Sequence, residues 1–144
     1  MKKIIIADLD GTIALIDHRR HFVTGGHSDW DAFYAAVSDD QPHVAVIAAL
    51  QVLHLAGHPV HIVSGRDDIT RPQTIAWLKK HGVPYDSLVM RAHGDYTPDD
   101  VLKDSWFYDS DLDDVLMVFD DRQKVVDMWR ARGLTVFQVA PGDF

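Results

Sequence analysis

Acidic and hydroxyl side chains directly follow three apolar segments that lie far apart in the chain. Asp8 and Asp10 follow the first segment, Ser64 follows the second, and Asp120 and Asp121 follow the third. Carboxylates that share one site repel each other, so each is costly to ionise alone. A hard cation such as Mg²⁺ relieves this repulsion because it takes oxygen ligands. The pattern predicts a metal site where the segments meet; the alternative is that each acid caps the next helix.

The apolar segments alternate with patterns that are typical of helices. Short apolar runs predict strands at 4–9, 60–63, 88–91, 115–119 and 134–139. Helical spacing and start signals predict helices at 43–56, 70–81 and 124–132, and a further helix that Thr97 caps. Such alternation requires parallel pairing with right-handed crossovers, which predicts an α/β three-layer sandwich. Ligands of these sheets bind beyond the carboxyl ends of the strands, where the acids stand.

The composition is that of a globular domain. A chain of 144 residues has room for one compact core, and we expect residues 1–144 to form a single domain. Lys and Arg number 14 against 22 Asp and Glu, and the net charge of −8 opposes sequence-independent coating of nucleic acid. The chain has no cysteine, which excludes thiol catalysis and cysteine-based zinc sites. No apolar run reaches the roughly 20 residues of a membrane helix, and we expect a cytoplasmic protein with no membrane partner.

Residues 17–41 fit the alternation of strands and helices least well. The segment contains a Thr-Gly-Gly turn signal at 24–26 and a short amphipathic piece with Trp30, Phe33 and Val37 on one face. It is too short for a separately folded cap. We expect it to form a small insertion that lies over the active-site edge of the sheet.

Three well-known motifs of phosphate binding and nucleophilic catalysis are absent from the sequence. It contains no GxxxxGK[ST] loop, no GxGxxG after the first strand and no GxSxG turn. Aspartates, a serine–glycine turn and a lysine remain as the candidates for phosphate chemistry. This set favours phosphate removal by an aspartate nucleophile.

The sequence Asp-Leu-Asp-Gly-Thr at 8–12 resembles motif I of the haloacid dehalogenase superfamily phosphatases, DxDG[TS]. Ser64, Lys103 and the pair Asp120 and Asp121 match motifs II, III and IV in order and spacing. Longer matches at 64–66, 94–103, 120–130 and 138–144 resemble the 3′-phosphatase domain of bacteriophage polynucleotide kinase/phosphatases. The resemblance implies a haloacid dehalogenase-like fold, with a mainly parallel five-stranded Rossmann-like sheet and a minimal cap.

The resemblance also implies a role for each acidic motif residue. Asp8 is expected to attack phosphorus and form an aspartyl-phosphate, and Asp10 to act as general acid and then as general base. Mg²⁺ is expected to bind Asp8, the carbonyl oxygen of Asp10 and Asp121, with Asp120 helping directly or through water. Lys103 is expected to offset the negative charge of the phosphoryl group.

The other matched residues are expected to bind phosphate or substrate, and they are Thr12, Ser64, Gly65, Arg66, Arg19 and Asp99. Either Arg19 or Arg20 matches a second substrate arginine of the family, the alternative being that both only add surface charge. Asp99 lies four residues before Lys103 and is expected to aim its ammonium group. The alternative for this pair is a solvated surface contact of little value.

The leading hypothesis is a Mg²⁺-dependent phosphomonoesterase that removes 3′-phosphates from DNA or RNA ends or from nucleotides. A small insertion in place of a large cap leaves room for a polymer end. One alternative is a nucleotidase or small-metabolite phosphatase of the same superfamily, and another is a catalytically silent binding module. A separate kinase or ligase is the implied partner.

Aromatic side chains have two candidate uses. We expect the core to contain Trp77, Trp129, Phe119 and Phe137. The better candidates for stacking on a nucleobase are Trp106, Phe107 and Tyr108, with packing as their alternative.

Overall fold

Five parallel strands form the central sheet of the computed structural model, which describes residues 2–26 and 28–143. The strands in chain order are β1 (Ile4–Ala7), β2 (Ala14–Leu15), β3 (Gln41–Pro42), β4 (Val60–Asp67), β5 (Ser87–Arg91), β6 (Val115–Asp120) and β7 (Val136–Gln138). The sheet has the order β5-β4-β1-β6-β7, and β2 pairs with β3 as a small antiparallel ribbon. Met1 and Phe144, the ends of the predicted domain 1–144, lie outside the described residues, as does His27.

Helices connect the strands of the sheet. They are α1 (Trp30–Ala35), α2 (Val44–Leu55), α3 (Arg71–Lys80), α4 (Asp99–Trp106) and α5 (Gln123–Ala131). Short 3₁₀ turns occupy Arg20–Val23, Val37–Asp39, Asp68–Thr70 and Leu112–Asp114. Within the described part of the chain, no helix has the length and apolar character that crossing a membrane requires.

The two faces of the sheet carry separate hydrophobic cores, because successive side chains of a strand point to opposite sides. On one face, Ile5 packs in a cluster with Leu50 of α2 and Trp77 of α3. On the other face, Ile6 packs in a cluster with Trp129 of α5, and Trp106 of α4 packs against this cluster. Helices therefore cover both faces, and the predicted three-layer α/β sandwich is confirmed.

The strand order determines where a ligand can bind. From β1 the chain winds outward through β4 to β5, and it then crosses to the other side of β1 to form β6 and β7. The winding direction thus reverses between the neighbouring strands β1 and β6. Ligands of open α/β sheets bind in the crevice beyond the carboxyl ends of the strands at such a reversal.

The threonine hydroxyls before α3 and α4 do not cap these helices, so the predicted cap at Thr97 is wrong, while Thr70 occupies the N-cap position of α3 without a capping hydrogen bond. The Thr70 hydroxyl donates to the carbonyl oxygen of Asp67 (2.8 Å) instead of capping, and α3 begins at Arg71. The Thr97 hydroxyl donates to the Asp95 carboxylate (2.7 Å), and α4 begins at Asp99, one residue later than a cap at Thr97 predicts. In both cases a nearby oxygen in a turn competes for the hydroxyl.

The predicted aromatic core is confirmed for Trp77, Trp129 and Phe119 and is wrong for Phe137, which is 49% exposed. Phe137 lies on the edge strand β7 and stacks on the ring of Phe119 at a centroid distance of 5.6 Å. An edge strand has cover on fewer sides, which explains the exposure. Trp106 and Phe107 pack against the second core. For these two residues the alternative of packing therefore holds, rather than stacking on a base.

The Trp129→Ala substitution tests the second core. Trp129 is fully buried, and its ring meets the edge of the Phe107 ring at 5.4 Å. We expect the substitution to lower the free energy of unfolding by about 3–5 kcal/mol, because it leaves a large cavity. Urea denaturation measures this loss. The control Tyr108→Ala removes an exposed ring, and a loss of similar size in that variant would contradict the assignment.

Candidate active site

Three buried carboxylates converge at the carboxyl ends of the two central strands. Asp8 follows β1, Asp120 ends β6, and Asp121 is the next residue along the chain. Because Ala7 pairs with Phe119 across the two parallel strands, the next residues on both strands emerge side by side. One oxygen of each of the three carboxylates lies within 4.8 Å of the others. The acids of two separate strand ends therefore meet, as their positions in the sequence predict.

Lys103 is the cation that faces this cluster. Its Nζ lies 2.7 Å from Asp8 Oδ1, 3.3 Å from Asp120 Oδ2 and 3.6 Å from Asp99 Oδ2. Helix α4 carries the side chain, which is only 1% exposed. Burial lowers the pKa of Lys103, but the surrounding carboxylates outweigh it and raise the pKa well above its ordinary value. Lys103 is therefore a permanent positive charge, and its contact with Asp99 is buried.

The cluster still holds more negative than positive charge. Burial, together with the neighbouring Asp120, raises the pKa of Asp8 well above its ordinary value although Lys103 opposes this. Burial likewise raises the pKa of Asp120 and of Asp121. When all three carboxylates are ionised, they exceed the one ammonium group by two negative charges, which equals the charge of one divalent cation; without a cation, the raised pKa values favour protonation instead. The set of oxygen ligands is of the type that Mg²⁺ takes, and the chain's own residues fit this metal.

Gly11 and Thr12 shape the space beside Asp121. Gly11 has a φ of +82°, and a Cβ atom there would lie 2.1 Å from Asp121 Oδ2. The Thr12 hydroxyl lies 3.1 Å from Asp8 Oδ2 and 3.2 Å from Asp121 Oδ1. The sequence Gly-Thr thus supplies both room for one carboxylate and a donor between two of them.

The Asp10 carboxylate is turned away from this cluster towards two arginines. Its Oδ1 accepts hydrogen bonds from Arg19 Nη2 (2.8 Å) and Arg66 Nε (3.1 Å) and a further one from Arg66 Nη2. Burial raises the pKa of Asp10, but the two guanidinium groups lower it further, and the net pKa lies below its ordinary value. The carboxylate of Asp10 is therefore ionised here and is not one of the three that converge.

Asp40 completes this second network, and no motif in the sequence pointed to it. Its carboxylate accepts from Arg19 Nε (2.7 Å), Arg19 Nη2 (2.9 Å) and Arg66 Nη2 (3.1 Å). His18 Nε2 lies 2.7 Å from the same carboxylate, and Trp77 donates to the Asp40 carbonyl oxygen. Asp40 stands at the end of the 17–41 segment, where no periodic pattern marks it.

Ser64 and Gly65 lie where β4 passes the site. The Ser64 hydroxyl accepts a hydrogen bond from the Arg66 backbone N–H (3.0 Å). A Cβ atom on Gly65 would lie 1.9 Å from Asp99 Oδ1, so a glycine is needed beside that carboxylate. Arg91, another residue that sequence reasoning missed, donates to the Gly65 carbonyl oxygen (2.7 Å).

An open cleft of about 820 Å³ leads from Asp8, Asp10 and Asp121 to the surface. The 17–41 segment forms one wall, and the loop that precedes α4 forms another. Arg20 lines this cleft, whereas Arg19 is fully buried behind Asp10. The structure thus separates the two arginines that the sequence left as alternatives.

Asp40→Asn tests whether the buried network depends on a second carboxylate. Without that charge, two buried guanidinium groups face Asp10 alone, and we expect the free energy of unfolding to fall by about 3 kcal/mol or more. Urea denaturation of the variant provides the measurement. Asp39→Asn is the matched control, since Asp39 is exposed. Equal stability of the two variants would show that Asp40 does not hold the arginines.

Comparisons with known proteins agree with the geometry. The family model described as "Polynucleotide kinase PNKP phosphatase domain" matches residues 2–144. A protein of Autographa californica nuclear polyhedrosis virus, named "Putative bifunctional polynucleotide kinase/RNA ligase", is 32% identical over 140 residues. That match covers 94% of this chain and 19% of the viral protein.

Solved structures show the same fold. A chain of the "Pnkp1/Rnl/Hen1 RNA repair complex" is 33% identical, with a TM-score of 0.84, and the match covers 100% of this chain and 44% of that one. The class C acid phosphatase of Bacillus anthracis has a TM-score of 0.70 at 16% identity, over 99% of this chain and 67% of that one, and supports the fold alone. The chain spans less than half of its first two relatives. It belongs to the family of polynucleotide kinase PNKP phosphatase domains, within the haloacid dehalogenase superfamily of phosphatases.

Proposed function

We propose that this phosphatase domain removes the 3′-phosphate from nucleic-acid ends, depends on Mg²⁺ and forms an aspartyl-phosphate intermediate. The observation that carries the proposal is the meeting of Asp8, Lys103 and Asp121 at the floor of an open cleft. The names of the relatives, a polynucleotide kinase/RNA ligase and an RNA repair complex, support a nucleic-acid substrate. The open cleft supports a polymer end over a small metabolite.

The proposed reaction has two steps. An Asp8 oxygen attacks phosphorus and forms the O–P bond while the bond from phosphorus to the sugar oxygen breaks, and Asp10 gives that oxygen a proton. In the second step, water attacks phosphorus, Asp10 takes a proton from this water, and the bond to Asp8 breaks to release inorganic phosphate. Asp8 and Asp10 both line the cleft, which supports a reaction in which one phosphoryl group meets both.

The remaining residues of the site hold the phosphoryl group and balance its charge. We assign Lys103, Thr12 and Ser64 to its oxygens, with Asp99 positioning the lysine. Asp8, Asp121 and Asp120, with the Asp10 carbonyl oxygen, are the proposed Mg²⁺ ligands. When bound, the metal supplies positive charge that polarises the phosphoryl group.

For this chemistry, the pKa of Asp8 must fall and the pKa of Asp10 must rise when metal and substrate bind. In the described structure, the pKa of Asp8 is raised and that of Asp10 is lowered. A nucleophile must be ionised, and a divalent cation beside Asp8 lowers its pKa. A general acid must carry a proton, and the negative charge of a substrate phosphate beside Asp10 raises its pKa against Arg19 and Arg66. We propose that these arginines position Asp10 and that Arg66, which lines the cleft, also faces the substrate.

We also propose that residues 1–144 act as one phosphatase domain and that residues 17–41 are an insertion over the active site. The placement of Trp30 and Tyr34 on the cleft wall supports this assignment of the insertion. A kinase or ligase is the proposed partner, by analogy with the names of the relatives. That the phosphatase domain itself is located in the cytoplasm stays a prediction.

The substrate class is tested with matched oligonucleotides that carry either a 3′- or a 5′-phosphate, and with free 3′- and 5′-mononucleotides. We expect release of inorganic phosphate from the 3′-phosphorylated oligonucleotide. Hydrolysis of the 5′-mononucleotide alone would overturn the proposed substrate and favour a nucleotidase.

Asp8→Asn tests the nucleophile. We expect kcat for phosphate release to fall at least about a thousandfold, because the amide is a poor nucleophile and a weaker metal ligand. Circular dichroism checks that the variant is folded. Asp114→Asn removes an exposed carboxylate next to the opposite end of β6 and serves as the matched control. Undiminished turnover by the Asp8 variant would refute its role.

Chelation tests the metal. We expect EDTA to stop turnover and Mg²⁺ to restore it. Mg²⁺ at about 100 times its Kd is expected to stabilise the folded chain by about 2.7 kcal/mol, seen as a higher Tm. Asp121→Asn is expected to reduce this shift, and Asp114→Asn to retain it. Turnover that is indifferent to EDTA would count against a metal at this site.

A further inference from the structure

Two aromatic side chains at the cleft are not explained by the core. Trp30 of α1 is 49% exposed, and Tyr96, in the loop before α4, is 90% exposed. Both line the cleft whose floor contains Asp8 and Asp121. They come from different segments of the chain, one from each of two walls of the cleft. Covering these rings would gain the free energy of apolar burial, so a ligand that enters the cleft can use them as a binding surface.

The ring of Trp30 is held in place although half of it is open. It stacks on Tyr34 at a centroid distance of 5.9 Å and an interplanar angle of 29°. Phe33 meets it edge to face, at 5.4 Å and 84°. Phe33 is itself buried beneath the guanidinium group of Arg19, at 4.3 Å. The indole ring is thus preorganised by the same segment that holds Asp10, and a planar ligand would meet a fixed surface.

The backbone on both sides of Tyr96 is also fixed. Arg91 Nη1 donates to the carbonyl oxygens of Asp95 (3.1 Å) and Thr97 (2.6 Å). The Asp95 carboxylate in turn accepts hydrogen bonds from the Thr97 backbone N–H (2.9 Å) and hydroxyl (2.7 Å). These bonds hold the backbone that carries Tyr96 at the cleft wall, while the ring itself projects into solvent.

The chemistry of the cleft indicates which ligand covers the rings. A phosphoryl group fills a small part of 820 Å³, and a cleft of this size takes a ligand with a substantial organic part. Aromatic faces bind planar rings by stacking, and every nucleobase has such a face. We propose that Trp30 and Tyr96 form a subsite for the base of the terminal nucleotide whose 3′-phosphate is attacked by Asp8. This inference rests on the proposed function and adds to it a reason for preferring nucleotides over other phosphate esters.

The test compares two tetranucleotides that end in a 3′-phosphate. One has a normal terminal base, and the other has an abasic terminal residue. We expect the wild-type chain to favour the normal substrate about tenfold in kcat/KM. Trp30→Ala and Tyr96→Ala are each expected to lower this ratio about fivefold, while Trp30→Phe and Tyr96→Phe keep most of it. Because both substrates are measured on one preparation, the ratio does not depend on the fraction of folded enzyme.

Tyr108, a predicted stacking candidate, is exposed but is not among the residues that line the cleft, so Tyr108→Ala is the control and is expected to keep the wild-type ratio. Hydrolysis of both substrates by the wild type at equal kcat/KM would overturn the subsite and leave the proposed function standing. Loss of the ratio in the control as well would also overturn it. If the wild type hydrolyses neither 3′-phosphate, the proposed function fails first and the subsite with it.

Discussion

An excess of buried negative charge between the two central strands is the constraint around which this protein is built. Asp8, Asp120 and Asp121 share a space that offers them one ammonium group, that of Lys103. Burial makes each carboxylate costly to ionise, which raises its pKa. The strand pairing imposes this cost, because β1 and β6 are neighbours and their carboxyl ends lie side by side. Either protons or a divalent cation can balance this charge, and the oxygen ligands are of the type that Mg²⁺ takes.

A second network beside the first has the opposite character. Arg19 and Arg66 face Asp10 and Asp40, so two guanidinium groups meet two carboxylates and the charges balance. Two aspartates only two residues apart along the chain are thereby pushed in opposite directions, with the pKa of Asp8 raised and that of Asp10 lowered. A division of acid–base roles between neighbouring carboxyl groups depends on such a difference in surroundings. A charged ligand in the cleft changes this difference, because a cation lowers the pKa of a nearby carboxyl group and an anion raises it.

The 17–41 segment links the arginine–aspartate network to the surface. It supplies Arg19 and Asp40 to the buried network, and it places Trp30 on the cleft wall. Phe33 joins these parts, since it is buried and contacts both the guanidinium group of Arg19 and the Trp30 ring. A short segment with little regular structure thus contributes both to the buried network around Asp10 and to the cleft wall, because buried ion pairs and aromatic contacts hold it in place of a large core.

The sequence by itself determined the layered fold and the meeting of Asp8 with Asp120 and Asp121. Acids that follow buried parallel strands must emerge at one edge, and the alternation of strands and helices requires that pairing. Only the tertiary structure decided that Arg19 is buried while Arg20 lines the cleft, and that Asp40 joins the site. These outcomes depend on how an irregular segment folds back onto the sheet. Local periodicity does not predict the course of this segment, because ion pairs between residues far apart in the sequence, such as Arg19 with Asp40, stabilise it.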